Sequence, residues 1–275
     1  MKGISFGQYY PSDSMLHRMD PRAKVVLAVL YIVCTFLCNN VLAFAALLLS
    51  ALLLVCMSRI PLRLILRSIR PLLLIIALTS FINVFMTKGE QLLTPADWRI
   101  QIYAEGVWNA VFMVLRIMVL IIGTGIFLTY TTTPLALTDA LELLLSPLKK
   151  IHVPVHDFAM MMSIALRFIP TLSEETEKIM NAQKARGANF TTGGLLQRAK
   201  ALIPILIPLF VSAIGRAFEL ASAMECRCYH GDEGRTRMRV LKFQASDALA
   251  IVLVTLFGVG LFFLNRLGIG YTRIS

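Results

Sequence analysis

Apolar and polar positions along this chain fall into long blocks rather than short periods. Val25–Cys38 carries no charge and closes on Asn39-Asn40, and Val41–Met57 follows at once. Further apolar runs occupy Pro71–Met86, Val107–Tyr130 and Ala248–Leu264. Each is long enough, or nearly so, to cross the roughly 30 Å hydrocarbon core of a bilayer as a helix. The first two are short, which predicts little tilt or extension into flanking residues. The pattern therefore predicts five spans, with a wide gap between the fourth and the fifth.

Residues 131–245 fill that gap, and their pattern is different. They are too amphipathic for a disordered linker and too apolar for a free soluble domain. A first helix is predicted over Pro134–Leu145, ended by Pro147 and the basic pair Lys149-Lys150. A second covers Val155–Ile169, is interrupted at Pro170 and resumes to Arg186. Thr171 and Glu174 have capping-box spacing, so Pro170 marks either a kink or a fresh start. A third helix runs from about Leu195 to Cys228, and Pro204 and Pro208 inside its most apolar stretch imply a bend. Long helices beneath a membrane domain, two of them ending in an arginine, are the expected layout.

Charge sets the orientation. Arg59, Arg63, Arg67 and Arg70 stand between spans two and three with no acid among them, along one side of a helix. Such a segment belongs at the cytoplasmic surface. The 87–106 loop mixes both signs and suits the outside, whereas the N-terminus, with Lys2, Arg18, Arg22 and Lys24, belongs inside. Five spans then put 131–245 in the cytoplasm and the C-terminus outside, with Arg266 and Arg273 mildly against the rule. The expected division is residues 1–130 as an N-terminal membrane part with four spans, 131–245 as a cytoplasmic helical region, and 246–275 as a last span.

Composition agrees with this picture. The 275 residues are 57% hydrophobic and 16% charged, with a mean hydropathy of +0.73. Soluble domains run near ~25% charged, so an all-α, polytopic integral membrane protein is predicted. The formal net charge of +11 reads as cytoplasmic flanks and lipid contact rather than nucleic-acid binding. The first twenty residues lack an apolar core before a cleavage site, so no removable signal peptide is expected. Cys34, Cys38, Cys56, Cys226 and Cys228 form no disulfide framework and are expected as free thiols.

Few motifs carry chemistry. "NAQKARGANF" and "SAMECRCYHG" align on Arg186 and Arg227, each preceded by Ala-x-x-small and followed by a small residue. Arginine in a last helical turn complements the helix dipole, and a small residue after it permits a left-handed stop. Capping does not require the repeat, and two guanidinium groups at helix tips also suit bidentate docking to a partner's carboxylates or carbonyls. Arg116 lies within the fourth run, in "MVLRIMVL", where a charge is costly and functional by default. It either pairs with a polar neighbour such as Asn83 or Asn109 or meets a partner protein. His152 and His156 have the spacing of a metal pair with Asp157 adjacent, but Pro154 between them argues against one helical face. Cys226, Cys228 and His230 invite a similar reading, and no metal site is expected at either place. No P-loop, serine elbow, zincin motif or intramembrane carboxylate pair is present, so no catalytic residue is assigned.

"TTTPLALTDALELLLSPLKKIHVPVHDFAMMMSIALRFIPTLSEETEKIMNAQKARGANF", and downstream "LIPLFVSAIGRAFELASAMECRCYHGDEGRTR", resemble the transmembrane coupling (T) component of energy-coupling factor transporters. These are ABC-type importers of vitamins and trace metals. The resemblance covers about residues 20–245 and is nearest the shared-module form, which serves several exchangeable substrate-binding (S) subunits. It implies a scaffold that is not itself an enzyme, with coupling helices whose arginine tips sit on two ATPase subunits. ATP and Mg would then be bound by those partners and no cofactor by this chain. Carried over, Ala185, Arg186 and Gly187 form the first docking signature and Cys226, Arg227 and Cys228 the second. There, cysteines stand where the family has alanine and glycine. Leu202, Ile205, Leu206, Leu209 and Phe210 would help form the platform for the S subunit. The rivals are a dedicated T component of a cobalt, nickel or biotin system and a membrane scaffold that moves no solute.

Overall fold

The computed structural model describes residues 9–87, 103–188, 190, 194–231 and 241–266. The described residues are helical, with no β-strand among them. They form two compact units, Met1–Ala140 with Leu241–Ser275, and Leu141–Val240.

The first unit contains a short α1 (Met15–Arg18), then α2 (Pro21–Leu37), α3 (Val41–Ser58), α4 (Leu62–Ile69), α5 (Leu73–Met86) and α6 (Ala104–Thr124). Its last helix is α10 (Ala245–Arg266), which packs against α2, while α6 packs against α2, α3 and α5. Close approach depends on small residues, as expected where apolar helices meet without a hydrophobic driving force. A Cβ on Gly123 of α6 would lie 2.1 Å from Cε1 of Tyr31, so only glycine lets that ring seat between α2 and α6. Around this point Tyr31, Phe44, Leu47, Phe127, Ile126 and Leu261 are fully buried.

One end of this unit is tied by polar groups. Asp20 caps α2, its Oδ1 accepting from the Arg22 N–H at 2.9 Å. Lys24 Nζ donates to the Thr131 carbonyl at 2.8 Å, and Arg22 Nη2 to that of Leu241 at 2.9 Å. Asp247, wholly buried, accepts from the Asp20 N–H at 3.3 Å and from the Gln244 N–H at 2.9 Å. Burying these charges is tolerable because each has hydrogen-bonding partners.

The predicted boundaries shift in instructive places. The basic surface helix and the third apolar run form one helical rod, α4 and α5 joined by a 3-10 turn over Arg70–Leu72 at Pro71. The fourth run ends in a π-helical segment, Gly125–Tyr130. Five described helices are long and apolar enough to cross a membrane, and they are not the expected five. Leu196–Cys226 is among them, whereas α2, with 17 residues, is not. Residues 88–102 and 267–275, where an outer loop and the C-terminus with Arg273 were expected, lie outside the described residues.

In the second unit α8 (Val155–Ala185) and α9 (Leu195–Cys226) pack together. Preceding them are α7 (Pro134–Leu144), which begins in the first unit, and a 3-10 turn over Ser146–Ile151. Pro170 does not start a new helix, because α8 runs through it and Thr171 is an interior residue rather than a cap. Proline forfeits the bond to the Leu166 carbonyl, but α9 lies against α8 on both sides of that point. Met160, Ile164 and Arg167 face Leu220 and Met224, and Glu175 meets Ser212 and Arg216. Rising numbers on α8 meet falling numbers on α9, so the pair is antiparallel.

Candidate functional site

The two arginines end their helices in the same way. Arg186 closes α8 at φ −84°, ψ 7°, and Arg227 closes α9 at φ −95°, ψ 15°. After Arg186, the Gly187 N–H donates to the Lys184 carbonyl and the Ala188 N–H to that of Gln183, both at 3.0 Å. After Arg227, the Cys228 N–H donates to the Glu225 carbonyl at 2.9 Å and the Tyr229 N–H to that of Met224 at 3.1 Å. Both are Schellman turns, which satisfy the last carbonyls and require a left-handed residue just past the helix. Gly187 supplies it at φ +88° and Cys228 at φ +55°. The cysteine flanks leave the hydrogen bonds of the second turn intact.

A side chain in the left-handed region costs roughly 1–2 kcal/mol, which glycine avoids at the expense of roughly 0.5–1 kcal/mol of chain entropy. Ala185, Arg186, Gly187, Cys226, Arg227 and Cys228 are all exposed. All five cysteines are free thiols.

The second tip borders a cavity of about 720 Å³. Its walls are Met160, Ser163, Ile164 and Arg167 of α8, Leu220 and Met224 of α9, and the turn Arg227–Gly231. Among the described residues no carboxylate lines it, and Arg167 and Arg227 are its charged groups. His230 Nδ1–H donates to the Cys228 carbonyl at 2.8 Å, which steadies the turn. From Arg167 to Arg186, α8 rises roughly 28 Å at about 1.5 Å per residue. Arg227 therefore stands beside the N-terminal half of α8 and Arg186 at its C-terminal end.

Between the tips the helices are braced. Glu175 accepts from Ser212 Oγ at 2.5 Å and from Arg216 Nη2 at 3.0 Å. The Ser212 hydrogen bond first, then the Arg216 charge, holds the Glu175 carboxyl below its ordinary value of 4.5. Because the native state favours the charged carboxylate, its contribution is complete above the ordinary carboxylate range. It is lost only as pH falls through the depressed value. Hydrogen exchange in residues 208–216, corrected for its intrinsic pH dependence, should accordingly stay slow to below pH 4.5 and then quicken. Glu175→Gln should quicken it at neutral pH and remove the acid transition. Exchange that is fast at neutral pH in the wild type would show that the brace does not hold.

The apolar stretch of α9 divides between two environments. Ile205 is buried at 4% exposure, whereas Leu202, Leu206 and Phe210 are exposed, the last at 66%; Leu209 is half-buried. The exposed residues of this stretch are Leu202, Leu206 and Phe210, with Ile203 and Ile207 beside them. Arg116, in the first unit, donates through Nη2 to the Cys38 carbonyl at 2.7 Å and stacks over Phe44 at 5.3 Å. It thus caps the end of α2 and gains a cation–π contact. Asn83 is engaged elsewhere, donating to the Thr79 carbonyl at 3.0 Å. His156 pairs with Glu142 at 2.8 Å, and among the described residues no three His, Cys, Asp or Glu side chains cluster to hold a metal ion.

Sequence reasoning missed the Glu175 brace, the buried Asp247 and the role of Arg167 in the cavity wall. An acid in one helix and a Ser-x-x-x-Arg pair in the next carry no signal until the register between the helices is known.

Residues 12–238 match the family CbiQ, described as cobalt transport protein. Curated relatives are similar over nearly their whole length. The energy-coupling factor transporter transmembrane protein EcfT of Ruminiclostridium cellulolyticum is 48% identical over 258 residues, 94% of this chain and 95% of that one. The EcfT of Acidaminococcus fermentans is 49% identical over 256 residues, 92% and 94%. That of Bacillus subtilis is 44% identical over 265 residues, 96% and 99%. The chain belongs to this family of energy-coupling factor transporter transmembrane proteins. It is a multi-pass membrane subunit with a transport role rather than an enzyme in its own right, and the α8–α9 unit with its arginine tips is the part of this T component that the sequence singled out.

Proposed function

We propose that this T component couples ATP hydrolysis by two ATPase subunits to the movement of a small substrate-binding membrane subunit, and that several such subunits exchange on it. The observation that carries this reading is the pair of Schellman turns, each presenting one exposed arginine, one at the C-terminal end of α8 and the other, at the end of α9, beside the N-terminal half of α8. One rigid helix then joins two docking points, and displacement of either tip is passed to the other. Planar guanidinium groups fit carboxylates or carbonyls in a groove, and the positive cavity behind Arg227 favours an acidic partner surface. The exposed apolar residues Leu202, Leu206 and Phe210 form the platform for the substrate-binding subunit. ATP and Mg belong to the ATPases, and this chain holds no cofactor.

The orientation that goes with this function has the N-terminus and residues 131–245 in the cytoplasm and the C-terminus outside, as the basic residues indicate. Although α9 is long and apolar, its uncharged run is Ala201–Gly215, between Lys200 and Arg216. That run reaches roughly 22 Å at about 1.5 Å per residue, short of the roughly 30 Å hydrocarbon core. We read it as lying at the membrane surface instead of crossing.

The thiols provide the test. An impermeant maleimide should label Cys226 and Cys228 in inside-out vesicles and leave them untouched in right-side-out ones. Bound ATPases should protect both thiols, and prior labelling should block assembly. A Cys226→Ala, Cys228→Gly variant should assemble normally and lose the sensitivity. Labelling from outside, or equal labelling with and without ATPases, would sink the docking reading.

A further inference from the structure

A second cavity lies in the membrane unit, away from the coupling helices. It measures about 590 Å³ and is lined by Arg67, Ser68 and Pro71 on one side and by residues of the α6 end and its π-helical extension on the other, chiefly Ile121, Thr124, Leu128 and Thr129. Several observations bear on what could fill it. Among the described residues, the only charge in its wall is the Arg67 guanidinium, which is exposed. Arg63 and Arg70 flank Arg67 at helical spacing on the same side and are exposed as well, and no acid occurs between Ser58 and Pro71. Apolar side chains surround this basic strip, with Leu62 and Leu66 exposed at 64% and 62%. An amphipathic surface of that kind sits at the boundary between headgroups and acyl chains.

The π-helical segment builds the opposite wall. Such segments are rare and recur at functional sites. Here Gly125 leaves room for the Tyr130 ring, whose carbon would lie 3.2 Å from an added Cβ. The Tyr130 hydroxyl in turn hydrogen-bonds Ser68, which fixes the floor between the two walls. Hydroxyls at Ser68, Thr124 and Thr129 stand near the guanidinium, and Ile121, Leu128 and Pro71 supply apolar wall.

We infer that this cavity binds one anionic phospholipid, its phosphate on Arg67 and the upper acyl chain along Ile121 and Leu128. Charge complementarity selects the occupant: a basic, hydroxyl-lined mouth at the membrane boundary excludes a zwitterionic lipid of equal size only through its net charge. A basic surface residue contributes about five-fold in binding of an anionic lipid at ordinary ionic strength.

The test uses the full chain purified in neutral detergent, with phosphatidylglycerol, phosphatidylcholine and sn-glycerol 3-phosphate as probes and bound lipid counted by native mass spectrometry. Phosphatidylglycerol should be retained preferentially at one copy. Arg67→Gln should lower that preference about five-fold and Arg67→Lys should keep most of it. Thr129→Trp, at an exposed rim position, should block the cavity while leaving every arginine in place. The Trp variant keeps the result readable if Arg67→Gln proves poorly folded. Equal retention of the two lipids, or an unchanged preference in Thr129→Trp, would overturn the site. Displacement of the lipid by soluble glycerol phosphate at matched concentration would also overturn it, since the acyl chain would then contribute nothing.

Discussion

Replacing Arg186 and Arg227 together by alanine is expected to abolish recovery of ATPase subunits with this chain and to abolish uptake. Truncating one guanidinium leaves a partner carboxylate or carbonyl unpaired in a partly desolvated groove, at a cost of ~2–5 kcal/mol. That is roughly 30-fold to several thousand-fold in affinity at about 1.4 kcal/mol per tenfold. Each single variant should cut uptake but keep some association, because on the proposed reading the second tip still engages its own ATPase. Arg→Lys should rescue partly, since an ammonium offers charge without the planar fork. Misfolding is a poor alternative explanation. Both turns are closed by backbone hydrogen bonds from residues other than the arginine side chains, and both arginines are exposed. Far-UV circular dichroism and monodispersity should therefore be unchanged. Full uptake by the double variant would reduce Arg186 and Arg227 to helix caps.

The pattern of apolar runs placed most helices to within a few residues, because an uncharged block must satisfy its own backbone in a membrane and only a helix does so within one segment. Prolines left boundaries open: Pro71 began an apolar run and Pro170 marked either a kink or a fresh start, and each sits in a continuous helical rod. At the tips the arginines were legible as a repeat, but the shared turn was not, since cysteine gives no sign that it will take a left-handed conformation. Burial was the least legible property. Ile205 and Leu206 are adjacent, equally apolar and equally helical, and only the tertiary fold decides that one is covered and the other bare.

That last distinction makes the platform testable. Leu206 is 58% exposed, Phe210 66% and Ile205 4%, although all three lie on one apolar stretch of α9. Each apolar side chain covered by a partner is worth ~1.5–3 kcal/mol, so Leu206→Ser or Phe210→Ser should weaken capture of the substrate-binding subunit roughly ten- to hundred-fold. The pair combined should remove it from the purified complex. The ATPases should remain attached, because their proposed contacts are at the helix tips and the Glu175 brace between the tips is untouched. Ile205→Ser should behave differently. It truncates a buried side chain, with a typical cavity cost of ~2–5 kcal/mol for such truncations, and should lower the thermal stability of the chain and the recovery of both partners together. The measurement is the ratio of substrate-binding subunit to ATPase in affinity-purified complexes, read beside the melting temperature of each variant. A fall in that ratio confined to Leu206 and Phe210 identifies the bare face of α9 as the platform. Equal loss of both partners in all three variants would mean that these residues only hold the helices together and that the substrate-binding subunit rests elsewhere.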